Sequence, residues 1–299
     1  MFEKICIIEP VFITDKGINQ LKMYCDKLVC YDSSAQSEEE LIKRISDADC
    51  ILVSQKTAIT KKIIDACVNL KFICMCCSFY GKEYSKVDVE YAQSKNIKYA
   101  YLHKYGDNGV VEYTVASVIN LQHGLNGKKY CKEFNDLTET KVGILGLGDL
   151  GYRVAKAFMS LGAKVYYYSK TRKIDYECDS LKYLSLEDLL KTVNVLSINL
   201  NRDVCLIGND KLKLFGDDKI IINMSLGNCY DIKTLKEWLK YKNNFYVCDK
   251  ASINNDFELI EYENVVYTNR ITGVTKQTLE TATRQIINNI EKYLEENKS

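Results

Sequence analysis

The sequence has little of several patterns that mark particular classes of protein. Its 41 basic and 40 acidic residues leave a net charge of +1 and are scattered along the chain, so no strong field attracts nucleic acid or an anionic membrane. No segment approaches the ~20 consecutive apolar residues that a membrane span needs. Residues 1–9 alternate like a strand and lack the pattern of a signal peptide, so we expect a cytoplasmic protein.

Histidine is also scarce, and His103 and His123 have no standard zinc-ligand spacing to the cysteine-rich run at residues 74–77. The 13 cysteines are odd in number and lie mostly in apolar runs, which argues against the disulfide framework of a secreted protein. The run Cys74-Met75-Cys76-Cys77 admits a metal or redox cluster. A buried strand is the favoured interpretation, because no second Cys/His cluster exists, and we predict no metal site.

Short apolar runs alternate with helical patterns along the chain, and its 299 residues suggest two domains. Strands that alternate with helices predict parallel, doubly wound sheets, so the expected fold class is α/β with two Rossmann-like domains. The first series of predicted strands is Ile5–Ile8, Leu28–Tyr31, Ile51–Ser54, Phe72–Cys76 and Ile97–Tyr101. The second series is Val142–Leu145, Lys164–Tyr168, Val193–Leu200, Lys219–Asn223, Phe245–Asp249 and Val265–Thr268. A helical pattern at Gly109–Gly124 joins the two series, and another at Lys276–Glu295 follows the second series.

A glycine-rich loop, Gly146-Leu147-Gly148-Asp149-Leu150-Gly151, is the strongest functional signal. The pattern alone is weak, but here it follows a strand, opens a helical pattern and precedes a second strand, which is the context of a dinucleotide-binding turn. The three glycines would permit a tight turn, approach to a pyrophosphate and close helix–strand packing, and the helix N-terminus would attract the phosphates. We therefore predict NAD or NADP as cofactor; the alternative is a purely structural turn.

The end of the next strand indicates which of the two cofactors is preferred. An acidic residue there normally binds the ribose 2′-hydroxyl of NAD. Here the chain reads Tyr168-Ser169-Lys170-Thr171-Arg172-Lys173, without an acid before Asp175. Hydroxyls and cations suit a 2′-phosphate, so we predict contacts from Ser169, Lys170, Thr171 and Arg172 and a preference for NADP. The alternative is a solvated basic turn.

The order of these features resembles the D-isomer-specific 2-hydroxyacid dehydrogenase family over essentially the whole chain. The glycine loop lies near the middle of the chain, as in that family. The other segments that carry the resemblance are Val87-Asp88, Asn96-Ile97-Lys98, Gly109-Val110-Val111-Glu112-Tyr113, Ile222-Asn223-Met224-Ser225-Leu226-Gly227, Val247-Cys248-Asp249 and Tyr267-Thr268-Asn269-Arg270-Ile271-Thr272-Gly273.

The resemblance implies a substrate domain at residues 1–103 and 275–299, and a dinucleotide-binding domain at residues 104–274. It also implies a ligand cleft between the two domains, a homodimer formed through the cofactor domain, and a small-molecule substrate. Beyond the glycine loop and residues 169–172, the expected cofactor contacts are Asn199, Leu200, Ser225, Leu226, Asp249 and Gly273.

The chain departs from the family at the residues that carry its chemistry. Leu226 stands at the position of the catalytic arginine, Arg270 at that of the histidine, and Asn254 near that of the glutamate. In the substrate loop, Glu83 replaces a usual glycine. Hydride transfer to a 2-keto acid needs a cation and a proton donor, each contributing about 10²–10⁴ in rate. Leu226 does neither, and Arg270 binds anions but keeps its proton near neutrality.

The usual mechanism therefore cannot be carried over, and the residues leave more than one function open. One hypothesis is a divergent oxidoreductase that uses Arg270 for an anionic ligand and a residue such as His103, which precedes the linking helix, although an ordinary loop residue is the alternative there. The other is a catalytically silent dinucleotide-binding sensor or interaction protein.

Overall fold

The computed structural model describes residues 1–79, 81–125, 127–130, 135–202, 204–227 and 229–297. The chain divides into two compact units. We call Met1–Tyr105 with Thr275–Ser299 the terminal unit, and Gly106–Val274 the central unit. Each unit contains a parallel sheet of its own, which confirms the predicted α/β fold class.

The terminal unit alternates strands and helices in the way that the sequence predicts. In chain order its elements are β1 (Phe2–Ile7), α1 (Asp15–Leu21), β2 (Cys25–Cys30), α2 (Glu38–Ile45), β3 (Cys50–Val53), α3 (Lys61–Ala66), β4 (Phe72–Ser78), α4 (Val89–Ser94), β5 (Lys98–Leu102) and, after the central unit, the C-terminal helix Lys276–Glu296. The sheet order is β2-β1-β3-β4-β5, so the strand order reverses between β1 and β3.

Both faces of the terminal sheet are covered. One face packs against α2, α3 and α4 around Ile51 and Ile73, and the other packs against α1 and the C-terminal helix around Ile5 and Ile286. Burial on both faces explains why the inner strands read as continuous apolar runs. In the edge strand β2 the exposed Asp26 and Lys27 follow the buried Cys25 and interrupt the apolar pattern, so the sequence predicts the start of this strand about three residues late.

The cysteine-rich run lies in β4, where Cys74 and Cys76 are fully buried. Burial raises the pKa of the neighbouring Cys77 thiol to about 11. The buried-strand interpretation is therefore confirmed. Within the described residues no cysteine forms a disulfide, and no group of three potential metal-ligating side chains is positioned to hold an ion; Cys131 lies outside those residues. No helix among them is long and apolar enough to cross a membrane.

The central unit carries the glycine loop. Its elements are α5 (Asp107–His123), β6 (Lys141–Leu145), α6 (Asp149–Ser160), β7 (Lys164–Tyr168), β8 (Leu181–Tyr183), α7 (Leu186–Thr192), β9 (Val195–Ile198), α8 (Asn209–Phe215), β10 (Ile220–Asn223), α9 (Ile232–Leu239), β11 (Phe245–Asp249) and β12 (Val265–Thr268). The sheet is parallel, with the order β12-β11-β10-β9-β6-β7-β8. The strand order therefore reverses between β6 and β9, which is where open α/β sheets bind ligands.

Candidate functional site

The carboxyl ends of the parallel strands of the central unit meet at one edge of its sheet, and the predicted cofactor residues follow these ends. The glycine loop follows β6, Ser169 follows β7, Asn199 follows β9, and Ser225 lies two residues beyond β10. Asp249 is the last residue of β11. The topology therefore places most of the predicted cofactor contacts along one edge, on both sides of the switch between β6 and β9.

Two glycines of the loop are required by the backbone itself. Gly146 has a φ of +95°, and a Cβ there would lie 2.5 Å from the carbonyl oxygen of Asn199. Its N–H donates to the carbonyl of Tyr168 at 2.8 Å, which ties the loop to the end of β7. A Cβ on Gly151 would overlap the carbonyl oxygen of Gly146. These two positions therefore form a tight turn against which α6 packs closely.

Gly148 differs, because folding does not explain its lack of a side chain. It is exposed, and a Cβ built on it would meet no atom within 4 Å. It forms the N-cap of the 12-residue helix α6 without a side-chain capping bond. The space that a side chain would fill at this N-cap is thus open, and a pyrophosphate needs such space to reach the backbone N–H groups. The loop therefore fits a dinucleotide.

The residues after β9 and β10 are tied together by hydrogen bonds. The Leu200 N–H donates to the Ser225 hydroxyl at 2.7 Å, and this hydroxyl donates to the carbonyl of Ile198 at 3.2 Å. The side-chain amide of Asn199 donates to the Ser197 hydroxyl at 3.0 Å, while its Oδ1 is buried without a partner among the described residues. That oxygen is able to accept a donor from a ligand at the switch point.

The basic segment after β7 contains an acid that the sequence analysis missed. Arg172 donates from Nε and Nη2 to the two carboxylate oxygens of Glu177, at 2.7 Å each. These bonds, together with one from the Tyr167 hydroxyl at 2.8 Å, lower the pKa of Glu177 to about 2. Glu177 lies eight residues beyond Ser169. It precedes the short strand β8, which was not predicted from the sequence. The local pattern therefore gave no signal for this pair.

The carboxylate of Asp249 is occupied by protein groups. Oδ1 accepts hydrogen bonds from the backbone of Ala251 and from the backbone and hydroxyl of Ser252, at 2.8–2.9 Å. Oδ2 accepts from the backbone and hydroxyl of Thr272, at 2.9 and 2.8 Å. A carboxylate has about four lone-pair sites, so little capacity is left for a ligand. Direct contact of Asp249 with the cofactor stays a prediction. Its hydrogen bonds to Ala251, Ser252 and Thr272 hold the surrounding loops.

The loop after β12 holds Arg270 at the same edge of the sheet. Its side chain is exposed, and its carbonyl accepts the Lys250 N–H at 3.1 Å. The Thr272 hydroxyl also contacts the sulfur of Met224 at 3.8 Å, which joins this loop to the one after β10. Gly273 lies against the start of α5, where a Cβ would be 3.2 Å from the carbonyl oxygen of Gly106.

Leu226 and Asn254, which the resemblance places at and near the other two catalytic positions of the family, also lie on loops of the central unit. Leu226 is half-buried, three residues beyond β10. Asn254 is exposed, with a φ of +53°, five residues beyond β11. Neither residue type supplies a charge or exchanges a proton near neutral pH.

His103 belongs to the terminal unit, at the carboxyl end of β5. Its backbone N–H donates to the side-chain oxygen of Gln285 at 2.8 Å. The side-chain amide of Gln285 in turn donates to the backbone carbonyl of His103, also at 2.8 Å. The exposed imidazole packs on the Tyr101 ring, with centroids 4.5 Å apart. The backbone of His103 is thus fixed by the C-terminal helix.

A buried carboxylate that the sequence did not reveal lies at the switch point of the terminal unit. Glu9, which is fully buried, follows β1 and accepts hydrogen bonds from Ser34, Ser54 and Thr57 at 2.6–3.3 Å. Burial raises the pKa of Glu9, but the bonds from these hydroxyls and from the Ser54 backbone outweigh it and leave the pKa below its usual value. Glu9 therefore joins the loops after β1, β2 and β3 as a charged centre.

Comparisons with known proteins agree with this architecture. The family model of the D-isomer specific 2-hydroxyacid dehydrogenase catalytic domain matches residues 5–299. A predicted 2-hydroxyacid dehydrogenase of Staphylococcus saprophyticus is 27% identical over 311 residues, covering 95% of this chain and 94% of that protein. The hydroxypyruvate reductase of Blautia hydrogenotrophica is 24% identical, covering 96% of this chain and 94% of that protein.

Solved structures share the same fold. The structure of an acyclic imino acid reductase in complex with NADPH and D-Arg superposes with a TM-score of 0.80 and 24% identity, covering 98% of this chain and 97% of that one. The family match extends over nearly the whole chain and includes both units. The protein is accordingly a member of the D-isomer specific 2-hydroxyacid dehydrogenase family of NAD(P)-dependent oxidoreductases.

Proposed function

We propose that the protein is a divergent NADP(H)-dependent oxidoreductase that has lost the family's usual reaction with simple 2-keto acids. One contrast within the central unit carries this proposal. The glycine loop keeps the backbone geometry of a dinucleotide site, whereas Leu226 and Arg270 stand where the family has its catalytic arginine and histidine. A bound nicotinamide would supply or accept the hydride, so the chain's own residues would have to bind the substrate and move a proton.

Arg270 suits an anionic group of the ligand. Its exposed guanidinium follows β12, on a loop that Asp249 holds in place through Thr272. A guanidinium offers donors in a planar fork but keeps its proton at neutral pH, so it binds a carboxylate or phosphate without acting as an acid. Because Leu226 stands where the family has its catalytic arginine, Arg270 would be the one cation of these positions that binds the ligand.

His103 is the residue that we propose as proton donor. Imidazole is the side chain best suited to exchanging protons near neutral pH, and this one is exposed at the end of β5. In His103→Gln we expect turnover to fall about 10²-fold or more while the dissociation constant for the cofactor stays the same. Undiminished turnover would exclude His103 from the chemistry.

The preference for NADP(H) rests on the segment after β7. It has no acid where a ribose 2′-hydroxyl is usually bound, and Ser169, Lys170 and Arg172 offer donors to a phosphate. Two charge-assisted hydrogen bonds to a 2′-phosphate would favour NADPH over NADH by more than about tenfold. The exposure of Lys170, Thr171 and Arg172 leaves them accessible to a ligand.

We further propose a homodimer formed through the central unit, as the family resemblance implies. The chain has a mass of 34.3 kDa, so sedimentation of the purified protein would give about twice that value. A mass equal to that of one chain at micromolar concentration would contradict the dimer.

A catalytically silent dinucleotide-binding sensor is the second candidate, and the missing arginine and histidine favour it. Titration with NADPH and NADH, followed by a screen of carbonyl compounds, separates the two. The relatives include hydroxypyruvate and glyoxylate reductases, so these keto acids belong in the screen beside larger anionic carbonyls. Oxidation of NADPH with a compound other than these simple keto acids supports the divergent oxidoreductase, and binding without oxidation supports the sensor. Turnover of the simple keto acids at rates typical of the family would contradict the proposed loss of that reaction. Failure to bind either cofactor would contradict both.

A further inference from the structure

The Arg172–Glu177 ion pair leaves part of the guanidinium accessible. Glu177 accepts from Nε and Nη2 of Arg172, at 2.7 Å each, so it occupies one edge of the planar fork. A guanidinium carries five N–H donors, and this pair uses two of them. The remaining donors include both on Nη1, and more than half of the Arg172 side chain is exposed. A second anion is thus able to bind the free end while the first edge stays paired.

Glu177 is itself held from the interior of the sheet. The Tyr167 hydroxyl donates to Oε1 of Glu177 at 2.8 Å, and Tyr167 is fully buried in β7. The same hydroxyl accepts the N–H of Lys173 at 2.8 Å, so it also fixes the backbone next to Arg172. The Glu177 side chain is only 18% exposed, against 55% for Arg172. The orientation of the guanidinium therefore depends on a chain of contacts that begins in the sheet.

A second tether joins this segment to the helix of the glycine loop. Tyr176, one residue before Glu177, stacks on Tyr152 of α6 with ring centroids 4.2 Å apart and an interplanar angle of 17°. The Arg172 guanidinium also lies over the Tyr183 ring of β8, at 5.4 Å. The segment after β7 is thus fixed relative to the helix that would bind the pyrophosphate.

From these contacts we propose that Glu177 is a positioning residue for cofactor selection, which fixes Arg172 so that the free end of its guanidinium receives the 2′-phosphate of NADPH. The inference rests on the NADP(H) preference proposed above. An unpaired, exposed arginine samples many rotamers and loses that freedom on binding, and the carboxylate removes part of this loss in advance. Lys170, Arg172 and Lys173 outnumber Asp175 and Glu177, so the segment keeps a net positive charge for a phosphate.

The test is a comparison of dissociation constants for NADPH and NADH, measured by energy transfer from Trp238, the single tryptophan, in the parent and in Glu177→Gln. We expect the constant for NADPH to rise about tenfold and that for NADH to change less than about twofold. Glu187→Gln is the control for loss of an ion pair, because Glu187 pairs with Lys211 at 2.6 Å in the same unit but outside the segment after β7. It should leave both constants unchanged.

Two further variants keep the test decisive if Glu177→Gln folds poorly. Arg172→Lys keeps the charge but loses the two-point pair, and Tyr167→Phe removes only the hydroxyl that holds Glu177. Both should lower the NADPH preference with little effect on NADH binding. An unchanged ratio of the two constants in Glu177→Gln, or tighter NADPH binding, would overturn the positioning role. A parent that binds both cofactors equally would instead overturn the underlying NADP(H) preference, and the positioning role with it.

Discussion

The buried carboxylate of Asp249 binds both the backbone N–H and the hydroxyl of Thr272, at 2.9 and 2.8 Å, across the carboxyl ends of β11 and β12. Its other oxygen caps the turn at Ser252. The loop that carries Arg270 is thus held by a side chain that lies within the sheet. The family resemblance predicts Asp249 as a cofactor contact. In the structure, its hydrogen bonds hold the loops that follow β11 and β12.

Asp249→Asn tests that role. The amide that replaces one oxygen would face backbone or hydroxyl donors, and we expect the central unit to lose about 1–3 kcal/mol of unfolding free energy. Urea unfolding followed by the fluorescence of Trp238, which lies in this unit, measures the loss. Thr272→Ser is the control, since it keeps the hydroxyl. Equal stability of Asp249→Asn and the parent would count against the structural role.

The glycine loop predicts opposite outcomes for two substitutions. Gly148→Val adds a side chain where no atom lies within 4 Å, so the protein should fold normally and yet lose dinucleotide binding. Gly151→Ala places a Cβ against the Gly146 carbonyl and should lower the thermal midpoint whether or not ligand is present. Fluorescence titration and thermal unfolding separate the two effects. A Gly148→Val protein that binds NADPH as well as the parent would remove the basis for the cofactor site.

The network around Glu9 predicts a dependence of stability on pH. Because the pKa of Glu9 is lowered in the folded state, its stabilising effect is present above the unfolded pKa of about 4.3 and is lost as the pH falls through the folded value. Glu9→Gln should therefore cost about 1–3 kcal/mol of unfolding free energy near neutral pH, and less as the pH is lowered. Circular dichroism should follow this unfolding, because Trp238 lies in the other unit. Glu90→Gln, at an exposed ion pair, serves as control.

A destabilisation by Glu9→Gln that stays the same from neutral pH down to about pH 3 would show that charge has no part in the network. In that case the hydrogen bonds from Ser34, Ser54 and Thr57 would stabilise the fold equally with a charged or a neutral Glu9 side chain.

The NADPH preference should also depend on pH, through the cofactor rather than the protein. The pKa of Glu177 is about 2, so its carboxylate stays charged throughout the working range. A phosphate monoester gains its second charge near pH ~6. The ratio of the NADH to the NADPH dissociation constant should therefore fall as the pH drops below about 6. A ratio that is constant from pH 5 to 8 would argue against a charge-assisted phosphate contact.

Most of the sheet architecture could be predicted from the sequence, because buried parallel strands read as apolar runs. Lys164–Tyr168 matches β7 in both bounds, and the glycine loop lies between β6 and α6 as expected. The three-residue strand β8 has one buried residue, Leu181, and so offers no period to detect. The exposed Asp26 and Lys27 likewise hid the first residues of β2, although the rest of that strand was predicted.

The contacts within the candidate site were less accessible to sequence reasoning. The spacing of the glycines predicts their backbone roles, since these are local. Glu9 and Glu177 act through partners up to 48 and 10 residues away, and only the folded chain brings those side chains together. The saturation of Asp249 likewise depends on Thr272, which is 23 residues further along the chain.

We propose that this chain keeps the family's fold and cofactor site but lacks its groups for 2-keto acid chemistry. The most direct test is a steady-state assay with pyruvate, glyoxylate and hydroxypyruvate at saturating NADPH and NADH, for the parent and for Leu226→Arg combined with Arg270→His. We expect negligible turnover by the parent and measurable turnover by the double variant, because only the cation and the proton donor would have been missing. Turnover by the unmodified protein at rates typical of the family would contradict the account.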